Sequence, residues 1–597
     1  MKKTLTFALL CISIFSIYSC HKDGAAGAGP EGIKPDLTVK TTCSISGYVT
    51  DESGSPVFSA EIFAGDRRTT TDEFGYFTFS NVSLPQVAGL IKATSSGFFN
   101  GYKTFIPQTN KETFLRIGLL TKKEAGTIDA VSGGEVTTAE GGKVIIPANG
   151  VVTASGGAAY TGQVHISARW LNPADASSLQ LSIPGDGRGT ASDGYLKALK
   201  SYGVMAVELT GAGGQLLQIA PNRSASLTIP ISSGLSAAAP ASIALWSFND
   251  STGLWKQEGS AVKNGSVYSA TTSHFSFWDG AEGASLVNFK AKIVDASSHP
   301  LANVPVTIDF AGAPLNAGYG RFGYTDADGN VTGAVFANSN LVFQVLTPCA
   351  IAAYAHPFTT TAADIDLGQM TGNMGQNTVT LSGTVSNCSQ QPVTDGYIQT
   401  YDHGFYNRIP INNGHFTFTG VACTNLGVNM VAIDNAAHQQ GQPQTVTLTP
   451  GTNDLGALTA CGASTIGSLS FTLDGVTTTI TEPTVAIGGY FLEPASDTTT
   501  NRWTQIVTLT DGPDHTQQIA FQFDGGKAIG EAHHLTEVFS PKFSGGRGYW
   551  PVPITLNISE YSEIGGFISG TFSNQLIDFD NAGVHNFSCT FRVRRYK

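Results

Sequence analysis

The chain has 597 residues, of which 41% are hydrophobic and 13% charged, and 33 Lys and Arg stand against 45 Asp and Glu for a net charge of −12. That length is too great for one hydrophobic core and predicts about three to six domains, while the acidic balance argues against nucleic acid as a partner, because like charge repels a phosphate backbone. The charged share is about half of that usual for globular proteins. Its place is taken by 69 Gly together with Ser, Thr and Asn, a mix suited to strands joined by tight turns.

Lys2 and Lys3 precede an apolar run from Leu5 to Ile17 that stops at Ser19-Cys20. A basic start, a short apolar stretch and a small residue before the cut describe a secretory signal over residues 1–20. The run is too short to cross a bilayer as a helix, and no second apolar run of about 18 residues follows it. Ile17-Tyr18-Ser19-Cys20 resembles the lipobox of bacterial lipoproteins, and His21-Lys22-Asp23 resembles the surface-export signal of lipoproteins from the Bacteroidetes group. The resemblance implies that Cys20 becomes the lipidated first residue, carrying palmitate-type chains, and that Lys22 and Asp23 direct export. It places the protein on the bacterial outer membrane, facing the cell exterior, with the membrane as its partner through the lipid on Cys20. Residues 21–40, with Ala25-Ala26-Gly27-Ala28-Gly29-Pro30, read as a flexible linker.

From Ser44 the pattern turns to period two. Ile45, Gly47 and Val49 alternate with Ser46, Tyr48 and Thr50, which predicts a strand. A turn at Asp51-Glu52-Ser53-Gly54, a restart at Pro56, a turn at Thr71-Asp72-Glu73-Phe74-Gly75 and the strand Tyr76-Phe77-Thr78-Phe79 follow, with Phe77 and Phe79 facing inward. This order over residues 41–122 resembles the carboxypeptidase regulatory-like (transthyretin-like) module. The same succession recurs twice. One copy, over 282–372, runs from Phe289–Asp295 through Pro300 to Thr325-Asp326-Ala327-Asp328-Gly329. A looser copy, over 373–461, runs from Val379–Val385 through Pro392 to Asn413-Gly414-His415-Phe416. Repetition at this spacing predicts an array of small sandwiches.

Residues 123–281 lie between the first two copies. Val164, Ile166, Ala168 and Trp170 share one strand face, and Trp246, Phe248, Trp255, Phe275, Phe277 and Trp278 form an aromatic set. This stretch is similar to an extracellular β-sandwich that accompanies regulatory-like modules in bacterial surface proteins and some animal matrix proteins, where the role is architectural. Residues 462–597 form a last β-domain, with alternating strands at Gly565–Phe572 and Phe587–Val593, similar to the small C-terminal domains of Bacteroidetes lipoproteins. A helical turn is expected only at Lys197–Tyr202. The fold class is therefore all-β: a tandem array of small transthyretin- or Ig-like sandwiches with little helix, strung as independent beads.

Six cysteines remain after Cys11 and Cys20: Cys43, Cys349, Cys388, Cys423, Cys461 and Cys589. In an exported chain they suggest disulfides. Four fall between 349 and 461, which predicts two bridges there, with Cys388–Cys423 the favoured pair and buried free thiols the alternative. No Cys-x-x-Cys occurs, which argues against structural zinc.

Four clusters invite a chemical reading, and each has a plainer one. Asp326–Asn330 begins like a calcium loop but lacks the later bidentate Glu, and reads as a hairpin turn. Glu531, His533, His534 and Glu537 could ligate a metal, yet adjacent histidines on a strand face opposite ways, and the cluster reads as a polar loop. His274, between Ser273 and Phe275, would need a nucleophile and an orienting carboxylate to act as a base; neither is identifiable in the sequence, and it reads as a hydrogen-bonded structural histidine. Gly185-Asp186-Gly187-Arg188-Gly189 lacks the helix that a phosphate loop needs. No metal, no cofactor and no catalytic residue is assigned. Trp246 and Trp278 sit in alternating strands and are expected inside, whereas Trp255 and Trp550 lie beside Gly253 and Gly548 and are the candidates for contact with a sugar ring. The reading is a non-enzymatic, lipid-anchored surface protein with a structural, adhesive or partner-binding role. The alternative is a carbohydrate-binding accessory lipoprotein of a glycan-uptake system. A hydrolase would need convergent carboxylates or a triad.

Overall fold

The computed structural model describes residues 32–173, 179–312, 321–348, 352–371, 377–402, 405–423, 427–482, 485–492, 503–510, 517–524, 533–562, 565–580 and 583–595. Cys20, Lys22, Asp23, Cys349 and Glu531 lie outside them. Nearly all regular structure is strand. The first module consists of β1 (Lys40–Thr50), β2 (Glu61–Ala64), β3 (Arg67–Thr70), β4 (Tyr76–Pro85), β5 (Gly89–Thr94), β6 (Gly101–Phe105) and β7 (Glu112–Gly118). One sheet has the order β4-β1-β7 and the facing sheet β3-β2-β5-β6. β1 runs antiparallel to β4 and parallel to β7.

The third and fourth modules repeat this topology. In the third, Leu286–Val294 lies between Asn330–Phe336 (antiparallel) and Ile365–Thr371 (parallel). In the fourth, Thr378–Asn387 lies between His415–Val421 and Gly451–Ala460 in the same senses. The turns repeat as well. Asp51 accepts the N–H groups of Ser53 and Ser55, Asp295 those of Ser297 and His299, and Asn387 those of Ser389 and Gln391. A bridge to proline closes each turn, at Thr50–Pro56, Val294–Pro300 and Ser386–Pro392. Gly75, Gly329 and Gly414 adopt φ of 72°, 76° and 78°, a region closed to most side chains. A Cβ on Gly75 or Gly329 would strike the carbonyl oxygen of Val49 or Ile293. The local turn chemistry therefore accounts for three copies of one fold.

Between the first and third modules, the strands from Glu124 to Ala284 form one branched 13-stranded sheet. Its longest strand, Leu196–Gly211, carries Met205, Val207 and Leu209 into the module's own core and Leu199, Val204 and Ala206 into the seam with the first module. Residues 197–202 are thus strand, not a helical turn. Burial on both faces removes the period-two pattern and leaves apolar spacings that imitate a helix. The last module is a nine-stranded antiparallel meander in which Ser468–Leu473 pairs Val584–Arg594, its final strand. Phe471, Phe521, Phe523, Phe572, Phe587 and Phe591 fill its core.

The modules are not independent beads. A continuous apolar cluster joins the first to the second through Phe99, Tyr102, Leu120, Phe248, Trp255 and Phe277. Another joins the first three through Ala88, Leu196, Leu286 and Phe336. Alternation along a strand reports that a face is buried, but not whether a neighbouring module buries it.

The favoured disulfide is also corrected. Cys388 bonds Cys461, and Cys423 is disulfide-bonded too. Parallel pairing sets Asn387 opposite Ala460, which brings the next residues, Cys388 and Cys461, together. Antiparallel pairing sets Thr378 opposite Val421, which puts Cys423 at the far end of that strand from Cys388. Cys43 and Cys589 are buried free thiols, and burial pushes the Cys43 thiol up to about 11.

Candidate functional site

A cluster of largely enclosed charged and aromatic side chains lies where the first module meets the third, fourth and fifth. It is built on one turn. One Asp72 oxygen closes the turn by accepting the N–H groups of Phe74 and Tyr76. The other accepts a hydrogen bond from Arg408 at 2.5 Å, an arginine on the strand Phe405–Pro410 of the fourth module. The Arg408 guanidinium lies between two phenol rings, 3.8 Å from the Tyr76 centroid and 3.7 Å from that of Tyr397. Burial opposes its charge, but Asp72 and the surrounding phenols outweigh burial and hold it above its ordinary value. Glu73 faces Arg594 of the last module at 3.6 Å. Burial pushes the Glu73 carboxyl up, against the pull of Arg594. Phe74 packs on Tyr397, Val431 and Ile433. Three successive side chains of one turn therefore grip two other modules.

A second cation sits beside this clamp. Arg116 on β7 is buried, with its guanidinium 5.6 Å from the ring of Tyr48 and 5.9 Å from that of Tyr324 in the third module. Gln399 of the fourth module donates to the Tyr48 hydroxyl at 3.2 Å. Aromatic faces attract a guanidinium through the ring quadrupole, more strongly where water is excluded. The arrangement fixes module against module and presents no nucleophile beside a base. No single stretch of sequence marks it, since Asp72 and Arg408 are 336 residues apart.

Both tryptophans proposed for sugar contact are buried and cannot offer a ring face. Trp255 is 1% exposed, because the turn beside it is an inter-module contact: the Gly253 carbonyl accepts from Thr104 of β6. Trp550 is 5% exposed and meets the Phe572 ring edge-on inside the last module. Trp246 and Trp278 lie inside, as expected. His274 places Nε2 2.7 Å from the Glu258 carboxylate and its ring against Trp278. Asp326 spends a carboxylate oxygen on the N–H groups of Asp328 and Asn330, which is the hairpin turn. His533–Phe539 is a strand and not the expected polar loop: His533 points inward with Nδ1 on the Asp524 carbonyl, His534 pairs with the Asp524 side chain, and Glu537 pairs with Arg547. In the Gly185–Gly189 segment, a turn that runs into the short strand Arg188–Thr190, Arg188 pairs with Asp186 and donates to the Val87 carbonyl, tying the second module to the first.

One titrating contact has no signal in the sequence. His585 lies 2.6 Å from the Asp474 carboxylate through Nδ1 and 3.2 Å from Asp578 through Nε2. The Asp474 hydrogen bond, then that of Asp578, holds His585 above its ordinary 6.5. The bond to His585 holds Asp474 below its ordinary 3.8. The raised histidine contributes stability fully below pH 6.5 and loses it as pH rises through its folded value. The lowered aspartate contributes above pH 3.8 and loses it as pH falls. The stability gap between the native chain and His585→Gln is therefore expected to be widest from pH 3.8 to pH 6.5 and to narrow on both sides. Urea midpoints across that range check it, and a flat gap refutes the coupling.

No family model matches the chain. Cartilage intermediate layer protein 2 of Homo sapiens is 33% identical over 128 residues, 21% of this chain and 10% of that protein. The Mus musculus protein of the same name is 28% identical over 229 residues, 36% of this chain and 19% of that one. The chain thus spans a fifth or less of the length of these relatives. Among solved structures, the shaft pilin SpaA from Lactobacillus rhamnosus GG aligns with 30% of this chain and 99% of its own, at 11% identity and a TM-score of 0.17. The major pilin subunit BcpA of Bacillus cereus aligns with 56% of this chain and 100% of its own, at 8% identity and a TM-score of 0.13. Overlaps this slight assign no function.

Proposed function

We propose that this chain is a non-enzymatic, lipid-anchored protein of the bacterial cell surface whose sandwich modules form one structural or partner-binding body. The observation that carries the reading is the use made of buried charge. Arg408 and Arg594 pair with Asp72 and Glu73 of the first module, Arg116 lies against rings of the first and third modules, and Arg188 donates to the Val87 carbonyl across the seam of the first two. Charges largely withdrawn from water, paired and stacked in this way, favour one relative placement of the parts that carry them. The leader supports the location, because Lys2, Lys3, the apolar run and Cys20 supply export and then an anchor. Among the described residues, no helix is long and apolar enough to cross a membrane. The glycan-uptake alternative loses both of its named residues, since Trp255 and Trp550 are buried.

The test is fractionation of cells expressing the full chain. The native protein is expected in the membrane fraction and to be cleaved when intact cells are treated with protease. Cys20→Ala is expected to leave the membrane fraction, and its persistence there would refute lipid anchoring. Protection of the native protein in intact cells would refute the outward-facing placement.

A further inference from the structure

We propose that this chain bears tension: the first, third and fourth modules carry a pull applied along the chain, and the last module is the element that yields first. The load path follows from which strands are paired. In each of the three repeated modules the strand by which the chain enters is paired, in parallel, with the strand by which it leaves. β1 pairs β7 from Ser44–Glu112 to Thr50–Gly118. The third module is paired so from Phe289–Ile365 to Val294–Thr371, and the fourth from Val379–Gly451 to Asn387–Ala460. A pull on the two ends of such a module drags the parallel strands past one another along their axes. The bonds of a parallel ladder are evenly spaced along the strands, so the seven register positions of the first module share the load.

In the fourth module a covalent bond stands behind the ladder. Cys388 follows the strand Thr378–Asn387 and is bonded to Cys461, which follows Gly451–Ala460. A pull that enters at Thr378 runs along that strand, crosses the bridge and leaves at Cys461, so the stretch between the two cysteines, 73 residues apart, is bypassed. The last module is wired the opposite way. Its first strand, Ser468–Leu473, runs antiparallel to its final one, and the entering Ser468 lies opposite Arg592, near the exit. The other neighbour of the final strand meets it likewise, with Phe567 opposite Arg594. A pull on the two ends of this module opens both ladders one pair at a time, starting at the exit. The order of yielding belongs to the chain alone; only the source of the pull, an anchored end, rests on the surface reading.

Force spectroscopy of residues 21–597 held at the two ends tests it, because forced unfolding reports the unfolding barrier. Unravelling Ser468–Arg592 is expected to release about 43 nm, at ~3.5 Å per residue, and at a several-fold lower force than the release of about 25 nm from Ser44–Gly118. Moving the outer handle to the thiol of Val584→Cys, at a position 64% exposed, loads the same strand pair from opposite ends and turns opening into sliding. The force for the last module is then expected to rise several-fold. Cys43 and Cys589 are buried and do not compete for the handle. Reductant, which opens the bridges, is expected to lengthen the fully extended chain by about 25 nm. A last module that yields at or above the force of the first, or at the same force from both handle positions, overturns the proposal. No lengthening with reductant takes the bridge out of the load path and overturns the role given to the fourth module.

Discussion

Replacing Arg408 by alanine is expected to lower stability by about 2–3 kcal/mol and to release the fourth module from the first. Removing one partner of a buried ion pair costs about 3–5 kcal/mol. The pair here is less than fully enclosed, with side-chain exposures of 19% for Arg408 and 28% for Asp72, which brings the expected cost to the bottom of that range or below it. Asp72 would also keep the N–H groups of Phe74 and Tyr76, which soften its loss. The stacking between Tyr76 and Tyr397 would go with the guanidinium. Arg408→Lys is expected to recover little of it, because a compact ammonium cannot lie flat between two rings. Differential scanning calorimetry should show the fourth module melting earlier, and small-angle scattering should show a larger radius of gyration. An unchanged melting profile together with an unchanged scattering curve would mean that the clamp does not hold the modules. Adding Asp72→Asn to Arg408→Ala should cost less than the sum of the single changes, because both remove the same contact.

The parts of the fold that could be read from the chain are those set by neighbours in sequence. Asp51, Asp295 and Asn387 bond N–H groups two and four residues on, so their turns are written locally. The same holds for Gly75 and Gly329, whose positive φ excludes a side chain whatever surrounds them. Such signals recur at each copy and were enough to find three sandwiches. What could not be read depends on which surfaces meet. Asp72 and Glu73 look like ordinary turn residues, and only the approach of Arg408 and Arg594 makes them a clamp. Trp255 follows a glycine turn, normally a sign of exposure, but here β6 lies over that turn. A seam between modules leaves no periodic trace, because the strands that enter it are already amphipathic or wholly apolar.

The loss of the Cys388–Cys461 bridge is expected to have the largest effect of any change in the fourth module. The two cysteines are 73 residues apart, and in the loop-entropy account closing a loop of that length is worth about 4 kcal/mol. The bridge extends the parallel ladder that ends at Asn387 and Ala460, so it also pins the point at which the chain leaves for the last module. The next strand, Ala463–Ser464, is held from the other side, where the Ser464 carbonyl accepts from Arg592. Freeing Cys461 should therefore loosen both the fourth sandwich and its connection to the fifth. A Cys388→Ser, Cys461→Ser double variant is expected to unfold at markedly lower urea and to gain a protease-sensitive site between the fourth and fifth modules. The native chain treated with reductant, which opens the Cys423 bond as well, should be at least as destabilised. If the double variant keeps the native urea midpoint and the native digestion pattern, the parallel pair is held by its ladder and apolar core alone.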